Sequence, residues 1–243
     1  MKKIAYQQMF DNELTHGWYL GTRAHLVKIL KQNCKINSRI LDAGAGTGGT
    51  VKLLKKAGFK NVTGVEKSDI AIDFARKRNI TFKKGDINKL PFKNDSFDVV
   101  ICLDVLYHQG VEPAIALKEF ARVLKKEGLL YLQEPAYNLL KSRHDWAILT
   151  ERRFTKNQIA KILNFTGFKI LKLSYFNTVM FIPIAIKRLV DKFSKTDDTS
   201  SDVGSLNSVL NKVIESSLKF ESSLIRYINL PFGLSIICLA KRI

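Results

Sequence analysis

The chain is organised around Leu41-Asp42-Ala43-Gly44-Ala45-Gly46-Thr47-Gly48-Gly49, a glycine-rich turn that follows a short apolar run. A helical pattern, Thr50–Lys56, comes directly after it. Glycines let the backbone approach a ligand closely, and the first turn of a helix offers unpaired N–H groups. The stretch therefore predicts a ligand-binding turn between the first strand and the first helix.

The residues around this turn narrow the choice of ligand. Gly44, Gly46 and Gly49 satisfy the dinucleotide pattern G-x-G-x-x-G, whereas the G-K-[ST] ending of an ATP or GTP loop is missing. Asp42 stands just before the glycines, where a carboxylate would repel a pyrophosphate but can receive a cationic amino group. Glu66 follows Gly44 by twenty-two residues and is placed to accept hydrogen bonds from ribose hydroxyls in either type of ligand.

Strands and helices alternate from residue 38 to about residue 174, which predicts an α/β fold with a doubly wound, mostly parallel sheet. The predicted strands are Ser38–Asp42, Asn61–Glu66, Ile80–Lys84, Phe97–Leu106, Gly128–Gln133 and Phe168–Leu173, with Leu234–Ala240 as a last strand. The predicted helices are Thr50–Lys56, Asp69–Arg78, Pro113–Leu124 and Thr155–Phe165.

The chain divides into three predicted parts. Residues 1–33 form a helical segment, and residues 34–175 together with 231–243 form the core. Residues 176–230 break the alternation and show helical spacing after a polar Ser/Thr/Asp tract. We expect them to form a helical cap inserted into the core, with a mobile loop near 194–205.

Charge and hydropathy suggest several partners. The net charge of +18 fits nucleic acid, an anionic membrane surface or a phosphorylated substrate, but also lysines spread along solvated helix faces. Residues 141–195 hold twelve lysines and arginines against three acidic residues, interleaved with side chains such as Phe176, Met180 and Ile184. This mixture favours an apolar acceptor near a cationic rim, while a packed cap helix with solvated lysines is the alternative. The apolar run near 179–186 is too short to span a membrane. The three dispersed cysteines fit a reducing cytoplasm, so a cytoplasmic protein is expected.

Further blocks occur in order along the predicted core. They are Gly85-Asp86-Ile87, Leu90-Pro91-Phe92, Ser96-Phe97-Asp98, Asp104-Val105-Leu106-Tyr107-His108 and Glu127-Gly128. Together with the glycine turn, this succession resembles the class I S-adenosylmethionine-dependent methyltransferases over about residues 38–174 and 231–243. The resemblance implies a Rossmann-like sheet of seven strands, whose last strand inserts antiparallel beside Phe168–Leu173.

The same resemblance implies S-adenosylmethionine as the cofactor and assigns the residues that bind it. The glycine turn holds the methionine end, Glu66 binds the ribose, and Asp86 with the backbone of Ile87 contacts the adenine. The implied cofactor-binding residues are Asp42, Gly44, Ala45, Gly46, Glu66, Lys67, Asp86, Ile87, Leu103 and Asp104.

The acceptor site is less specific in the sequence. A hydroxyl acceptor would need a general base, and His108 and His144 are the candidates. For each of the two histidines, the alternative is a structural role. The element Trp18-Tyr19-Leu20-Gly21-Thr22-Arg23 resembles a subgroup of small-molecule methyltransferases. The predicted substrate-binding residues are Tyr19, Arg23, Tyr107, His108, His144 and Tyr175, and no metal site is predicted.

Three functions follow from these observations. The first is methylation of a small molecule, with a hydroxyl favoured as the acceptor and a lipid-like molecule or a phospho-sugar as its class. The second is methylation of RNA held by the basic cap. No Asn-Pro-Pro-Tyr block follows the fourth predicted strand, which lowers the case for base nitrogens. The third is a protein that binds the cofactor without catalysis.

Overall fold

The computed structural model describes residues 1–141, 145, 148–193 and 207–243. Their strands form a seven-stranded sheet in the order β3-β2-β1-β4-β5-β7-β6. The strands are β1 (Arg39–Ala43), β2 (Asn61–Glu66), β3 (Lys83–Lys84), β4 (Phe97–Leu103), β5 (Leu124–Pro135), β6 (Phe168–Phe176) and β7 (Ser235–Arg242). β7 runs antiparallel between β5 and β6, and β1 to β5 pair in parallel. The predicted fold class and the place of the last strand are confirmed.

Helices flank the sheet and cover the edge at which the parallel strands end. The described helices are α1 (Lys3–Asn12), α2 (Gly17–Asn33), α3 (Gly49–Lys56), α4 (Asp69–Arg76), α5 (Pro113–Val123), α6 (Lys156–Phe165), α7 (Phe181–Phe193) and α8 (Ser208–Leu224). Thr155 is the N-cap of α6 and forms a reciprocal capping box with Gln158. In the part of the chain that the structure describes, no helix is both long and apolar enough to cross a membrane.

Several strand boundaries differ from those predicted. β3 has two residues in place of the predicted Ile80–Lys84. β4 ends at Leu103, three residues early, because Asp104 adopts a φ of +56° and turns the chain out of the sheet. β6 extends to Phe176 because its end pairs with Ser235 of β7, a contact between distant segments.

The register brings the predicted cofactor residues together. Leu41 lies between Thr63 of β2 and Val100 of β4, and the neighbouring strands therefore end side by side. The sheet order reverses between β1 and β4, and ligands of open α/β sheets bind at the carboxyl end of the strands at such a point. The fold thus places Asp42 and Glu66 at the same edge.

The N-terminal segment and the predicted cap form one helical layer. α2 packs closely on α8 because Gly21 has no side chain, and a Cβ there would lie 2.6 Å from Cβ of Leu218. Nδ1 of His25 lies 2.8 Å from Oγ of Ser222 one turn further along α2. The loop predicted at 194–205 falls outside the described residues.

Candidate functional site

A cavity of about 750 Å³ opens at the carboxyl edge of the parallel strands. Its floor is built from the ends of β1, β2 and β4, and its roof from α1, α2 and the two cap helices. Every predicted cofactor-binding residue lines it: Asp42, Gly44, Ala45, Gly46, Glu66, Lys67, Asp86, Ile87, Leu103 and Asp104. The fold therefore gathers the whole predicted set in one place, while the role of each residue stays a prediction.

The glycine turn is shaped by its backbone. Gly44 has a φ of +83°, a conformation that residues with a side chain rarely adopt, and a Cβ there would lie 2.6 Å from Val105. The turn then enters α3 through Gly48, which also has a positive φ. The close approach of Gly44 and Val105 leaves a glycine as the residue that fits.

Asp42 is the buried carboxylate of this site. It is 2% exposed, and its Oδ2 has no hydrogen-bond partner among the residues described. Burial raises the pKa of Asp42 to about 7, against a smaller lowering effect of the Arg23 guanidinium. An unsatisfied buried carboxylate is costly, and a cationic amino group of a ligand would satisfy it. Asp42 thus fits the methionine amino group of S-adenosylmethionine.

Glu66 joins the end of β2 to the glycine turn. Its Oε2 accepts the backbone N–H of Gly46 at 2.9 Å, and its Oε1 accepts those of Lys67 and Ser68, each at 2.9 Å. Burial raises the pKa of Glu66, and these backbone donors oppose that shift. The two oxygens have four lone pairs and three are used, so Oε2 can still accept one hydrogen bond from a ribose hydroxyl.

Asp86 and Asp104 stand on either side of the same cavity. Burial alone would raise the pKa of Asp86, but the Lys67 ammonium at 2.7 Å and the N–H of Asn88 outweigh it, so the pKa is lowered. Asp104 accepts from Nε2 of Gln133 at 2.8 Å, and burial raises its pKa to about 7. Asp86 thus stays ionised, as expected for a group facing adenine N–H donors.

The N-terminal segment is fastened to the glycine turn by a buried carboxylate that the sequence analysis missed. Glu13 is 2% exposed and forms ion pairs with Arg23 and Arg78. It also accepts from the Thr47 hydroxyl and from the N–H of Gly49 at the positive end of α3. The four partners come from distant positions, so no local motif marks Glu13.

The predicted substrate-binding residues divide into groups. Tyr19, Arg23, Tyr107 and His108 line the cavity, whereas the structure does not bring Tyr175 to its wall. Tyr175 instead stacks on Tyr137 with ring centroids 5.1 Å apart. His144, predicted as a general base and a substrate ligand, lies outside the described residues.

Arg23 and His108 are both held by the protein. The guanidinium of Arg23 donates to Glu13 and, through Nε, to the Thr50 hydroxyl at 3.0 Å, so its donors stabilise the N-terminal segment. Burial lowers the pKa of His108 to about 4, and the N-terminal ammonium acts in the same direction. His108 is therefore neutral at pH 7.

The cap side of the cavity is largely apolar, with two basic residues and a few unpartnered polar atoms. From the cap, Met180, Ile184, Leu210 and Ile214 line it together with Lys187 and Arg188. In the described part of the chain, three other lining atoms are buried without a hydrogen-bond partner: His16 Nε2, Thr150 Oγ1 and Asn177 Oδ1. A bound molecule with an apolar body and polar groups would satisfy both features.

His16 was not among the predicted site residues. It is the N-cap of α2, and its Nδ1 accepts the N–H of Trp18 at 3.2 Å. A neutral imidazole that accepts at Nδ1 carries its proton at Nε2, which therefore faces the cavity as a donor. In the sequence, the feature that could have pointed to His16 is its position one residue before a helix.

A buried ion pair stands beside this apolar side. Arg153 donates from Nε and Nη2 to the two carboxylate oxygens of Asp145, at 2.9 and 3.0 Å. Both residues line the cavity and are less than a tenth exposed. The two hydrogen bonds hold this part of the cavity wall in one arrangement. In the sequence, the pair is visible only as two charged residues eight positions apart.

The comparisons with known proteins agree with this geometry. Residues 41–132 match the family model described as a methyltransferase domain. A sterol 24-C-methyltransferase of Gibberella zeae is 29% identical over 141 residues, 54% of this chain and 35% of the relative. A demethylmenaquinone methyltransferase of Chlorobaculum parvum is 38% identical over 100 residues, 40% of this chain and 41% of the relative. The chain spans between about a third and three fifths of the length of the first curated relatives it matches.

A solved structure extends the likeness to most of the chain. It is the geranyl diphosphate C-methyltransferase of Streptomyces coelicolor, whose complex holds geranyl diphosphate and S-adenosylhomocysteine. The TM-score is 0.59 at 14% identity, over 90% of this chain and 79% of that one. At this identity the likeness shows the fold.

The site and the sheet order define a Rossmann-like fold with a cofactor cavity at its switch point. Residues 41–132 match a methyltransferase domain, and the chain has the fold of the class I S-adenosylmethionine-dependent methyltransferases. The recognition made from the sequence is confirmed at the level of the domain and the fold. Two solved structures with this fold hold S-adenosylhomocysteine or S-adenosylmethionine.

Proposed function

We propose that this chain transfers the methyl group of S-adenosylmethionine to a small, largely apolar acceptor that binds beneath α7 and α8. The observation that carries the proposal is one cavity joining the unpartnered carboxylate of Asp42 to the apolar cap side chains Met180 and Ile184. Because one end of the cavity carries a carboxylate and the other is apolar, the cavity fits two chemically different ligands. A volume of about 750 Å³ lies in the upper part of the range of ligand pockets.

The protein's part in the reaction would be positioning. When bound, S-adenosylmethionine supplies a methyl group that is already activated by its sulfonium. Asp42 would hold the amino group at the methionine end, and Glu66 the ribose. The roof formed by α1 and α2 would exclude water, with Met9 facing Gly46 across the turn. Holding two reactants in the right geometry lowers the activation barrier by several kcal/mol, roughly 7–11 at best. This contribution needs no protein nucleophile.

The nature of the acceptor is inferred from the wall it would meet. Apolar cap side chains favour a hydrophobic body, and the unpartnered atoms of His16, Thr150 and Asn177 favour a polar group on it. Relatives named for sterol and demethylmenaquinone methylation support a hydrophobic acceptor. A hydroxyl oxygen remains the predicted nucleophile, and a carbon nucleophile is the alternative that the sterol relative's name suggests.

In the experiment, the chain is incubated with a cell extract and S-adenosylmethionine labelled in its methyl group. The mixture is then separated into organic-soluble, water-soluble and RNA fractions, and the label in each fraction is measured. We expect label in an organic-soluble product, and carbon NMR of that product would distinguish O–CH₃ from C–CH₃. Asp42→Asn should abolish the labelling, and Asp73→Asn, at an exposed residue of α4, should not. Label in RNA would favour the RNA alternative, and no label in any fraction would favour a non-catalytic binder.

A further inference from the structure

The two cap helices present apolar side chains outward as well as inward. On α7, Ile182, Ile186 and Val190 are 59%, 57% and 59% exposed. They are spaced by four residues and so share one helix face. Ile184, which lines the cavity, is two positions from Ile182 and Ile186, so it projects from the opposite side. α7 is therefore apolar on both sides.

α8 repeats this arrangement. Val209, Val213 and Phe220 recur at the helical spacing of four and seven and are 70%, 52% and 63% exposed. Ile214 and Leu218 on another face are buried, where they meet the cavity and α2. Single exposed apolar residues are ordinary, but two ordered stripes on helices that line the same cavity mark an interaction surface. We call these six residues of α7 and α8 the cap stripes.

The charges beside the cap stripes indicate what covers them. Lys212 and Lys219 of α8 are exposed, whereas Glu215, which pairs with Lys219 at 2.6 Å, is half-buried and Glu221 is buried. Just after α8 come Arg226 and Tyr227, the latter 77% exposed. The exposed charge of this face is thus basic, and it is joined by aromatic side chains that favour a membrane–water interface.

These features favour an anionic lipid surface over other occupants. A second copy of the chain would bring another net charge of +18 against the first, so repulsion opposes it. An RNA would gain phosphate contacts but leave isoleucines, valines and phenylalanine exposed. A bilayer takes apolar side chains to a depth of roughly 5–10 Å, and each nearby Lys or Arg adds about 1 kcal/mol of attraction to anionic lipid.

We propose that the cap stripes of α7 and α8 dock the protein on an anionic membrane surface. The same helices roof the cavity, so docking would bring the acceptor side against the lipid. The inference rests on exposure and charge, not on methyl transfer, and can fail or hold independently of the proposed function.

The test is sedimentation with vesicles of phosphatidylcholine alone or mixed equally with phosphatidylglycerol. We expect the protein to sediment with the mixed vesicles only. The double substitution Ile186→Glu and Val213→Glu should weaken partitioning at least about tenfold, because each glutamate adds charge to the inserted face. Ile115→Glu on α5, at a residue 50% exposed, is the matched control and should bind as the unmodified chain does.

Several outcomes would overturn the proposal. They are absent binding of the unmodified chain, equal loss in the double variant and in the control, or unchanged binding of the double variant. Because the substituted residues are exposed, the double variant, the control and the unmodified chain should have similar melting temperatures. S-adenosylhomocysteine titration without vesicles keeps the two proposals apart. The double variant should bind it as the unmodified chain does, and absent binding by the unmodified chain would contradict only the proposed function.

Discussion

The backbone N–H of Gly49 donates a hydrogen bond of 3.1 Å to the carboxylate of Glu13. Glu13 ends the first helical segment, and Gly49 is the first residue of α3. The bond therefore ties the roof of the cavity to the floor at the glycine turn. Arg23 and Arg78 neutralise the same carboxylate from two other elements.

We predict that Glu13→Ala is strongly destabilising. The substitution leaves Arg23 and Arg78 buried without their common partner, a loss of about 3–5 kcal/mol for a buried pair. Urea unfolding measures this, and S-adenosylhomocysteine titration should show weakened binding because the roof loses its anchor. Glu112→Ala, at an exposed residue, is the control. A loss no larger than that of the control would show that the network does not anchor the segment.

Cofactor binding should depend on pH through Asp42. With a pKa of about 7 in the free protein, Asp42 is increasingly protonated below pH 7, and the neutral acid cannot pair with an ammonium group. At roughly one pH unit below that pKa, S-adenosylhomocysteine should therefore bind about tenfold more weakly than at a pH well above it. Calorimetry of Asp42→Asn should show weak binding with a smaller pH dependence. Equal affinity on both sides of pH 7 in the unmodified chain would count against this role.

The close packing of α2 on α8 predicts a coupled pair of substitutions. Gly21→Ala should cost about 1–3 kcal/mol, because its new methyl group meets Leu218. Leu218→Ala should cost about 2–5 kcal/mol through the cavity it leaves. Leu218→Ala removes the Cγ and Cδ1 atoms that the methyl group would meet but keeps Cβ at 2.6 Å, so the double variant should recover only part of the clash and lose somewhat less than the two costs together. Simple additivity in urea unfolding would show that the two residues are not in contact.

Two of the four histidines should not titrate near neutral pH. Burial lowers the pKa of His25 and of His108 to about 4 each. In proton NMR, their ring signals should stay constant from about pH 8 down to about pH 5.5, where an ordinary histidine would have gained its proton. His25→Gln and His108→Gln assign the signals. Movement of the His108 signal around pH 6.5 would show a solvated ring in its place.

The sequence predicted those features that depend on local pattern. The seven-stranded sheet and the antiparallel β7 beside β6 followed from the resemblance, as did the assignment of Asp86, while Asp42 and Glu66 were recognised by their places at strand ends. Since parallel strands end at one edge of a sheet, such residues must come together.

What depends on contacts between distant segments could not be predicted in this way. Glu13 meets Arg78 across sixty-five residues, and Tyr175 lies away from the cavity because it stacks on Tyr137. His16 carries an unpartnered nitrogen only because α2 packs beneath the cap. These positions are set by tertiary packing, which local periodicity does not encode.

The central claim is that the cavity holds S-adenosylmethionine with Asp42 at its methionine end. The direct measurement is calorimetric titration of the unmodified chain with S-adenosylhomocysteine and, separately, with NAD. The account predicts one S-adenosylhomocysteine site per chain, a marked loss of affinity in Asp42→Asn, and weaker or absent NAD binding. Tighter binding of NAD than of S-adenosylhomocysteine would contradict it.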